Sequence, residues 1–255
     1  MNNTLMTVIG FLFIFAMTTL GAFLVVFFKG TISKRVNSIF LSFASGIMIA
    51  SSIWSLIMPS IEANESWGAW AFVPAVVGII VGSIFLIVLE KVLPTDNGVS
   101  AESLRSTKLF VAVTVHNIPE GLAVGFAFGT ASTIGTPEAY IIAMGLAFGI
   151  GVQNFPEGLA VALPIKGVSG SRGKGFLYGM LSGVVEPIAA IMGYFLAAYL
   201  VCMQPWLLSF AAGAMIFVVF SDMMPEAYRK SNTLTASMSF LVGFLIMMIL
   251  DVALG

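Results

Sequence analysis

Eight apolar stretches, each near the length a helix needs to cross a bilayer, decide what this 255-residue chain can fold into. They are Leu5–Phe28, Ser38–Met58, Trp70–Leu89, Leu109–Gly129, Ala139–Leu163, Phe176–Leu200, Trp206–Phe220 (extending to about Met224) and Ala236–Leu254. A helix needs about 20 apolar residues to traverse the hydrocarbon core. Lipid offers no partner to an unpaired backbone group, so helices are the expected form. The dyad alternation of a barrel strand is absent. Only 9% of the residues are charged, where a soluble domain carries about 25%. The expectation is an all-α membrane protein with eight transmembrane helices, a single polytopic domain over residues 1–255.

All eleven lysines and arginines fall in alternate loops. Lys29, Lys34 and Arg35 follow the first span; Lys91, Arg105 and Lys108 the third; Lys166, Arg172 and Lys174 the fifth; Arg229 and Lys230 the seventh. The positive-inside rule makes these loops cytoplasmic and puts both termini outside. Trp67, Trp70 and Trp206 fall at the opposite ends, as interfacial aromatics do. No cation precedes the first span, and its apolar run is too long for a leader's h-region, so it reads as a retained helix. The longest loop, about Glu90 to Lys108, is polar, and the loops leave no room for a soluble domain or a P-loop. A net charge of −1 gives no reason to expect nucleic acid as a partner. Cys202 is the only cysteine, so no intrachain disulfide can form, and His116 is the only histidine.

The buried charge then carries the chemistry. Most acids lie in loops or near span ends, but Glu120, Glu157 and Glu186 lie deep in spans four, five and six, with no lysine or arginine inside any span. A charge at a helix centre costs ~2.5–3.5 kcal/mol on the lenient insertion scale, so three would cost ~8–10 kcal/mol if ionised and unpaired. Protonation, water or a bound cation must offset this. Span four reads His116-Asn117-Ile118-Pro119-Glu120-Gly121 and span five reads Gln153-Asn154-Phe155-Pro156-Glu157-Gly158, one pattern repeated 37 positions apart. Adjacent spans run antiparallel, so the copies meet head to tail. Positions i, i+1 and i+4 lie within about 100° on a helix. His116, Asn117 and Glu120 therefore share a face, as do Gln153, Asn154 and Glu157. Pro119 and Pro156 have no N–H, which frees the carbonyls of Val115 and Val152 and predicts a kink beside each polar set. Glu186-Pro187 repeats the device. Paired broken helices at membrane depth point to a transporter's binding site.

Carboxylates and amide oxygens suit Mg²⁺, Ca²⁺ or Mn²⁺, and the imidazole shifts the preference towards Zn²⁺, Fe²⁺, Mn²⁺, Co²⁺ or Cd²⁺. The absence of thiolates suits an ion that must be released. Blander readings stand beside this one: a proton-sharing pair at Glu120 and Glu157, and amides that only join helices. An intramembrane zinc protease would need a His-Glu-x-x-His motif, and one histidine cannot supply it.

At these residues the sequence resembles the Zrt/Irt-like (ZIP) family of divalent metal transporters, in its bacterial subgroup with His-Asn-x-Pro-Glu-Gly and Gln-Asn-x-Pro-Glu-Gly. The resemblance covers the whole chain. It implies uptake of zinc or a related ion (iron, manganese, cobalt or cadmium) towards the cytoplasm, as a homodimer in a bacterial inner membrane. It further implies that His116, Glu120, Gln153 and Glu157 form a primary site. Asn117, Asn154 and Glu186 then form a neighbouring one that shares Glu120 and Glu157, which leaves one bound ion and two as open alternatives. Spans one, four, five and six would move as a block against two, three, seven and eight, with Met48 or Ser55 of span two near the metal. Two departures stand out. Many members carry a second histidine where this chain has Gln153, and many carry a histidine-rich loop between spans three and four.

Three further features read more plainly. Gly121, Gly125 and Gly129, and Gly175, Gly179 and Gly183, are spaced four apart and read as close-packing faces, or as smooth faces along which helices slide. The methionines read mostly as core and lipid-facing filler. Asp222-Met223-Met224-Pro225-Glu226 reads as helix-end polarity, the other reading being an exit-side cation stop.

Overall fold

The computed structural model describes residues 2–29, 33–92 and 101–254. Residues 93–100 of the long polar loop, Asp96 among them, lie outside the described residues. Among the described residues the chain is helical throughout, without strands. Helix α1 covers Asn3–Phe23 and tightens into a 3₁₀ turn, Leu24–Phe27. Helix α2 runs from Lys34 to Glu62, α3 covers Val73–Val92, α4 Ala101–Ile134 and α5 Pro137–Ser169. Helix α6 has two arms, Arg172–Gly183 and Val185–Leu200. Helix α7 runs from Gln204 to Lys230 and α8 covers Thr233–Leu254. Seven of these are long and apolar enough to cross a membrane; α3 is apolar over the shorter stretch Val73–Val88.

Local signals place the ends. Ser33 starts α2 by accepting a hydrogen bond from the Val36 N–H at 3.2 Å. Thr136 does the same for α5 through the Ala139 N–H, with Pro137 in the first turn, where its missing N–H costs nothing. Gly170 ends α5 in the left-handed conformation, φ 67°.

The prolines act in three ways. Helices α4 and α5 continue through Pro119 and Pro156 without interruption. Helix α6 breaks at Val184, which puts Glu186 and Pro187 in the first turn of its second arm. Helices α2 and α7 each widen into a π segment just before a proline: Ser52–Ile57 ahead of Pro59, and Val219–Met223 ahead of Pro225.

The helices pack as four pairs, and each pair runs parallel. Gly10, Phe13 and Thr18 of α1 face Ala147, Gly151 and Gly158 of α5 in rising order. Gly121, Gly125 and Gly129 of α4 face Ala189, Ala190 and Ala197 of α6. Helix α2 meets α8 at Phe43 with Gly243 and at Ser55 with Asp251, and α3 meets α7 at Gly78 with Ser209 and at Gly82 with Ala214. Each of these four pairs uses the same reciprocal contact: a glycine on each helix lies against a carbonyl three residues before the partner's glycine. Gly21 lies on the Phe155 carbonyl and Gly158 on the Thr18 carbonyl; Gly125 and Gly193 lie on those of Ala190 and Leu122. Gly46 with Phe240, Gly243 with Phe43, Gly82 with Phe210 and Gly213 with Ile79 repeat the arrangement. With no hydrophobic drive between helices in lipid, such close backbone approach is what holds them. Weak Cα–H···O contacts add to it.

The pairs divide the molecule into two groups, α1, α4, α5 and α6 against α2, α3, α7 and α8. An apolar layer lies between them, built on Leu41, Met48, Val113, Val161, Met215 and Val218. The two glycine stripes of the sequence both pack inside the first group. Gly175, Gly179 and Gly183 lie against Ala162, Ala22 and Thr18. They are seated against carbonyls and small side chains at close range, which reads as packing that fastens that group together.

Candidate metal centre

The repeated motif assembles where α4 and α5 cross. His116, Asn117, Glu120, Asn154, Glu157 and Glu186 are fully buried, and Gln153 is 1% exposed. The two copies interlock across the crossing. His116 Nε2 of α4 lies 3.2 Å from Glu157 Oε1 of α5, and Gln153 of α5 donates its amide N–H to Glu120 Oε1 of α4. One nitrogen or oxygen from each of His116, Glu120 and Glu157 lies within 4.8 Å of the others. The remaining two amides gather on a third carboxylate, Glu186. Asn117 Nδ2 donates to Glu186 Oε1 at 3.2 Å and to the Ser182 carbonyl at 3.0 Å, while Asn154 Nδ2 donates to Glu186 Oε2 at 2.9 Å. All seven sequence-predicted residues thus occupy one contiguous polar pocket, in two adjoining sets.

The chemistry of the first set lies in what is left unpaired. His116 Nε2 and Glu157 Oε1 stand within ion-pair distance, and neither atom has a hydrogen bond of good geometry. Both oxygens of Glu157, Oε2 of Glu120, and the amide oxygens of Gln153, Asn117 and Asn154 have no hydrogen-bond partner among the described residues. A buried polar atom left unpaired costs about 1–3 kcal/mol, more for a charge. Concentrating so many at one point is unfavourable unless something else completes them. Electron-pair donors gathered in one buried place, with too few N–H and O–H groups to answer them, form the arrangement a cation completes. The donor set, imidazole with carboxylates and amide oxygens, fits a divalent transition metal.

The motif's glycines explain how α1 and α6 reach the pocket. A Cβ on Gly121 would collide with the Glu186 carbonyl, and one on Gly158 with the Thr18 carbonyl. Each glutamate is thus followed by the residue that lets a third helix approach. Sequence reasoning missed two neighbours that this packing brings in. Thr18 of α1 donates its hydroxyl to Glu186 Oε1 at 2.7 Å. Met215 of α7 places its sulfur 4.0 Å from Gln153 Nε2 and 3.8 Å from the Ser52 hydroxyl. Neither lies in a patterned stretch, so only the tertiary packing reveals them. Of the two span-two candidates, Met48 is buried in the apolar layer and Ser55 donates to Asp251 at 2.6 Å.

At the end of α7, Asp222 accepts from Ser221 at 2.8 Å, and Glu226 is paired with both Arg229 and Lys230. These residues line a cavity of about 310 Å³ together with Ser106 and Pro164. With its carboxylate neutralised by two cations of its own helix, Glu226 behaves as helix-end polarity.

Residues 95–251 match the family model described as ZIP Zinc transporter. The whole chain aligns with 98% of the zinc transporter ZIP11 of Xenopus tropicalis at 34% identity. It is 35% identical to the zinc transporter ZIPB of Bordetella bronchiseptica over 94% of this chain and 79% of that one. It is 31% identical to the zinc transporter GufA of Myxococcus xanthus over 93% and 94%. A helical bundle closed around a buried carboxylate, amide and imidazole pocket, matched along its length to these proteins, belongs to the ZIP zinc transporter family.

Proposed function

We propose that the protein carries divalent transition-metal ions, zinc foremost, across the membrane towards the cytoplasm. The observation that carries this reading is the convergence of unpaired lone pairs from His116, Glu120 and Glu157 in a fully buried pocket. His116, Glu120, Gln153 and Glu157 hold the first ion. Gln153 turns its amide so that Oε1 faces the metal, a rotation that exchanges oxygen for nitrogen and leaves the side chain's shape unchanged. Asn117, Asn154 and Glu186 form an adjoining position for a second ion, sharing Glu120 and Glu157. Iron, manganese, cobalt and cadmium fit the same donors. The relatives are named as transporters of zinc, which favours that ion and a carrier over an enzyme.

Eight crossings with both termini outside fit the parallel packing. If α3 did not cross, α1 and α5 would run in opposite directions. The registers of α1 with α5 and of α2 with α8 therefore argue for α3 as a crossing helix. The membrane is a bacterial inner membrane in this reading, and the working unit a homodimer, as the resemblance implies. Cysteines placed one at a time at Lys34, Lys174 and Ser231, in a Cys202→Ser background, should react with a membrane-impermeant maleimide only after cell lysis, and one at the exposed Glu65 before it. The reverse pattern would invert the topology.

The helix pairing also supports a two-block motion. Every reciprocal glycine contact lies within α1, α4, α5 and α6 or within α2, α3, α7 and α8. Among the described residues the groups meet along the apolar layer and at the Gln153–Met215 contact, both made by side chains, so one can shift against the other without parting these glycine contacts.

The test is uptake of labelled zinc into proteoliposomes. Cadmium, iron and manganese ions should compete, and His116→Ala should remove most of the flux. Uptake that survives His116→Ala would refute the site assignment. Ligands bind metal only when deprotonated. Apparent zinc affinity should therefore fall as the pH drops from about 7 to 5, through the range in which imidazole ordinarily protonates. Affinity that stays flat over that range would exclude His116 as a ligand.

A further inference from the structure

We propose that Thr18 of α1 is a positioning residue that sets how tightly the inner part of the site can hold a second divalent cation. The inference rests on the site assignment above and concerns a residue outside the repeated motif.

Glu157 and Glu186 are equally buried, and their surroundings are opposite. Glu157 has no hydrogen-bond donor on either oxygen, whereas both oxygens of Glu186 are occupied. Oε2 takes the Asn154 amide; Oε1 takes the Thr18 hydroxyl at 2.7 Å and the Asn117 amide at 3.2 Å. The two amides belong to the motif and turn their oxygens to a cation when one arrives. The Thr18 hydroxyl differs. Its one proton has two acceptors in reach, the Ile14 carbonyl at 3.3 Å and Glu186 Oε1 at 2.7 Å, and the shorter contact, to the carboxylate, takes it. Packing fixes its position. The Thr18 carbonyl sits on Gly158, and Gly183, at the break in α6, lies against the Thr18 methyl group and Glu186 Oε1. Glu186 itself sits in the first turn of the second arm of α6, where the helix end favours a carboxylate and holds it in place.

A carboxylate oxygen that already accepts a strong hydrogen bond is a weaker ligand, because binding the metal means losing or sharing that bond. Thr18 thereby makes Glu186 a reluctant partner. The first ion is held by the donor-free Glu157 side, and a second finds a weakened position that releases it readily. That suits a carrier, which must let go of what it binds.

Zinc titration calorimetry on the purified full-length protein in nanodiscs tests this. The wild type should bind one ion tightly and a second more weakly. Thr18→Val keeps the shape and removes the donor. It should tighten the second event about tenfold, the worth of one hydrogen bond to a charged group (~1.4 kcal/mol), and leave the first within about twofold. In proteoliposomes the same variant should saturate at lower zinc with a lower maximal rate. Thr18→Ser should restore the wild-type second event. Thr18→Ala provides the same test should the valine variant fail to fold. An unchanged or weakened second event in the donor-less variants overturns the proposal, as does a serine variant that behaves like valine, or a wild type that binds one ion and still binds one after Thr18→Val. Failure of the site assignment looks different: zinc binding to the wild type would be absent, or indifferent to Glu157→Gln.

Discussion

Replacing Glu157 with glutamine should abolish zinc uptake while making the empty protein more stable. Both oxygens of Glu157 are buried and lack hydrogen-bond partners, and His116 Nε2 stands 3.2 Å from Oε1 without bonding geometry. In the empty state this carboxylate is a net cost, and neutralising it at constant volume removes the cost. The gain should be about 1–3 kcal/mol, the penalty of one unsatisfied buried group. The loss of function should be far larger. Perturbing residues that merely support a metal ligand already costs 10–100-fold, so removing a charged ligand should reduce uptake by on the order of 100-fold or more. The two effects are read separately, by thermal denaturation of purified protein with and without zinc and by proteoliposome flux. Zinc at 100 times its dissociation constant should stabilise the wild type by about 2.7 kcal/mol and leave the variant unmoved. A variant that still takes up zinc, or that is still stabilised by it, would remove Glu157 from the site.

Gly125→Leu should prevent the protein from folding to a monodisperse species. Gly125 lies where α4 crosses α6, and a Cβ there would collide with the Ala190 carbonyl oxygen and stand 2.8 Å from the Tyr194 nitrogen. Backbone cannot retreat as a side chain can. The helices must separate along their length, which also pulls Glu186 away from Asn117. Overpacking costs 1–3 kcal/mol where side chains give way, and here the obstacle is main chain, so the cost should exceed that range. Gly167→Leu is the control. Nothing lies within 4 Å of a Cβ at Gly167, and the change should stay within about 0.5 kcal/mol, as surface substitutions do. Size-exclusion profiles and melting temperatures of the two variants make the comparison. Equal behaviour would mean the close crossings do not hold the bundle.

Much of the site was legible before any coordinates, for a physical reason. A carboxylate in a membrane helix is costly enough that its presence is informative, and Glu120, Glu157 and Glu186 had no cationic side chain in any span to answer them. The repeated motif then named its own neighbours through helical periodicity, and His116, Asn117, Gln153 and Asn154 lie beside those acids. The π segments ahead of Pro59 and Pro225 were not legible. Proline marks where a helix must adjust and leaves open whether it bends, breaks or widens. Neighbouring packing decides that, and Pro119, Pro187 and Pro225 sit in three different outcomes.

By itself the sequence determined the class of fold, the helical spans to within several residues, and the polar set at the crossing of α4 and α5. Apolar length, alternating cations and period-3.6 spacing are local properties that bilayer physics translates directly. Only the tertiary structure decided which helices pair, that the pairs run parallel, and that the two motif sets divide into an unpaired half around Glu157 and a donor-filled half around Glu186. It alone brought Thr18 and Met215 to the pocket. Those outcomes depend on backbones approaching at glycines far apart in the chain, such as Gly158 on Thr18 and Gly121 on Glu186. No periodicity encodes a contact between helices so far apart in the chain.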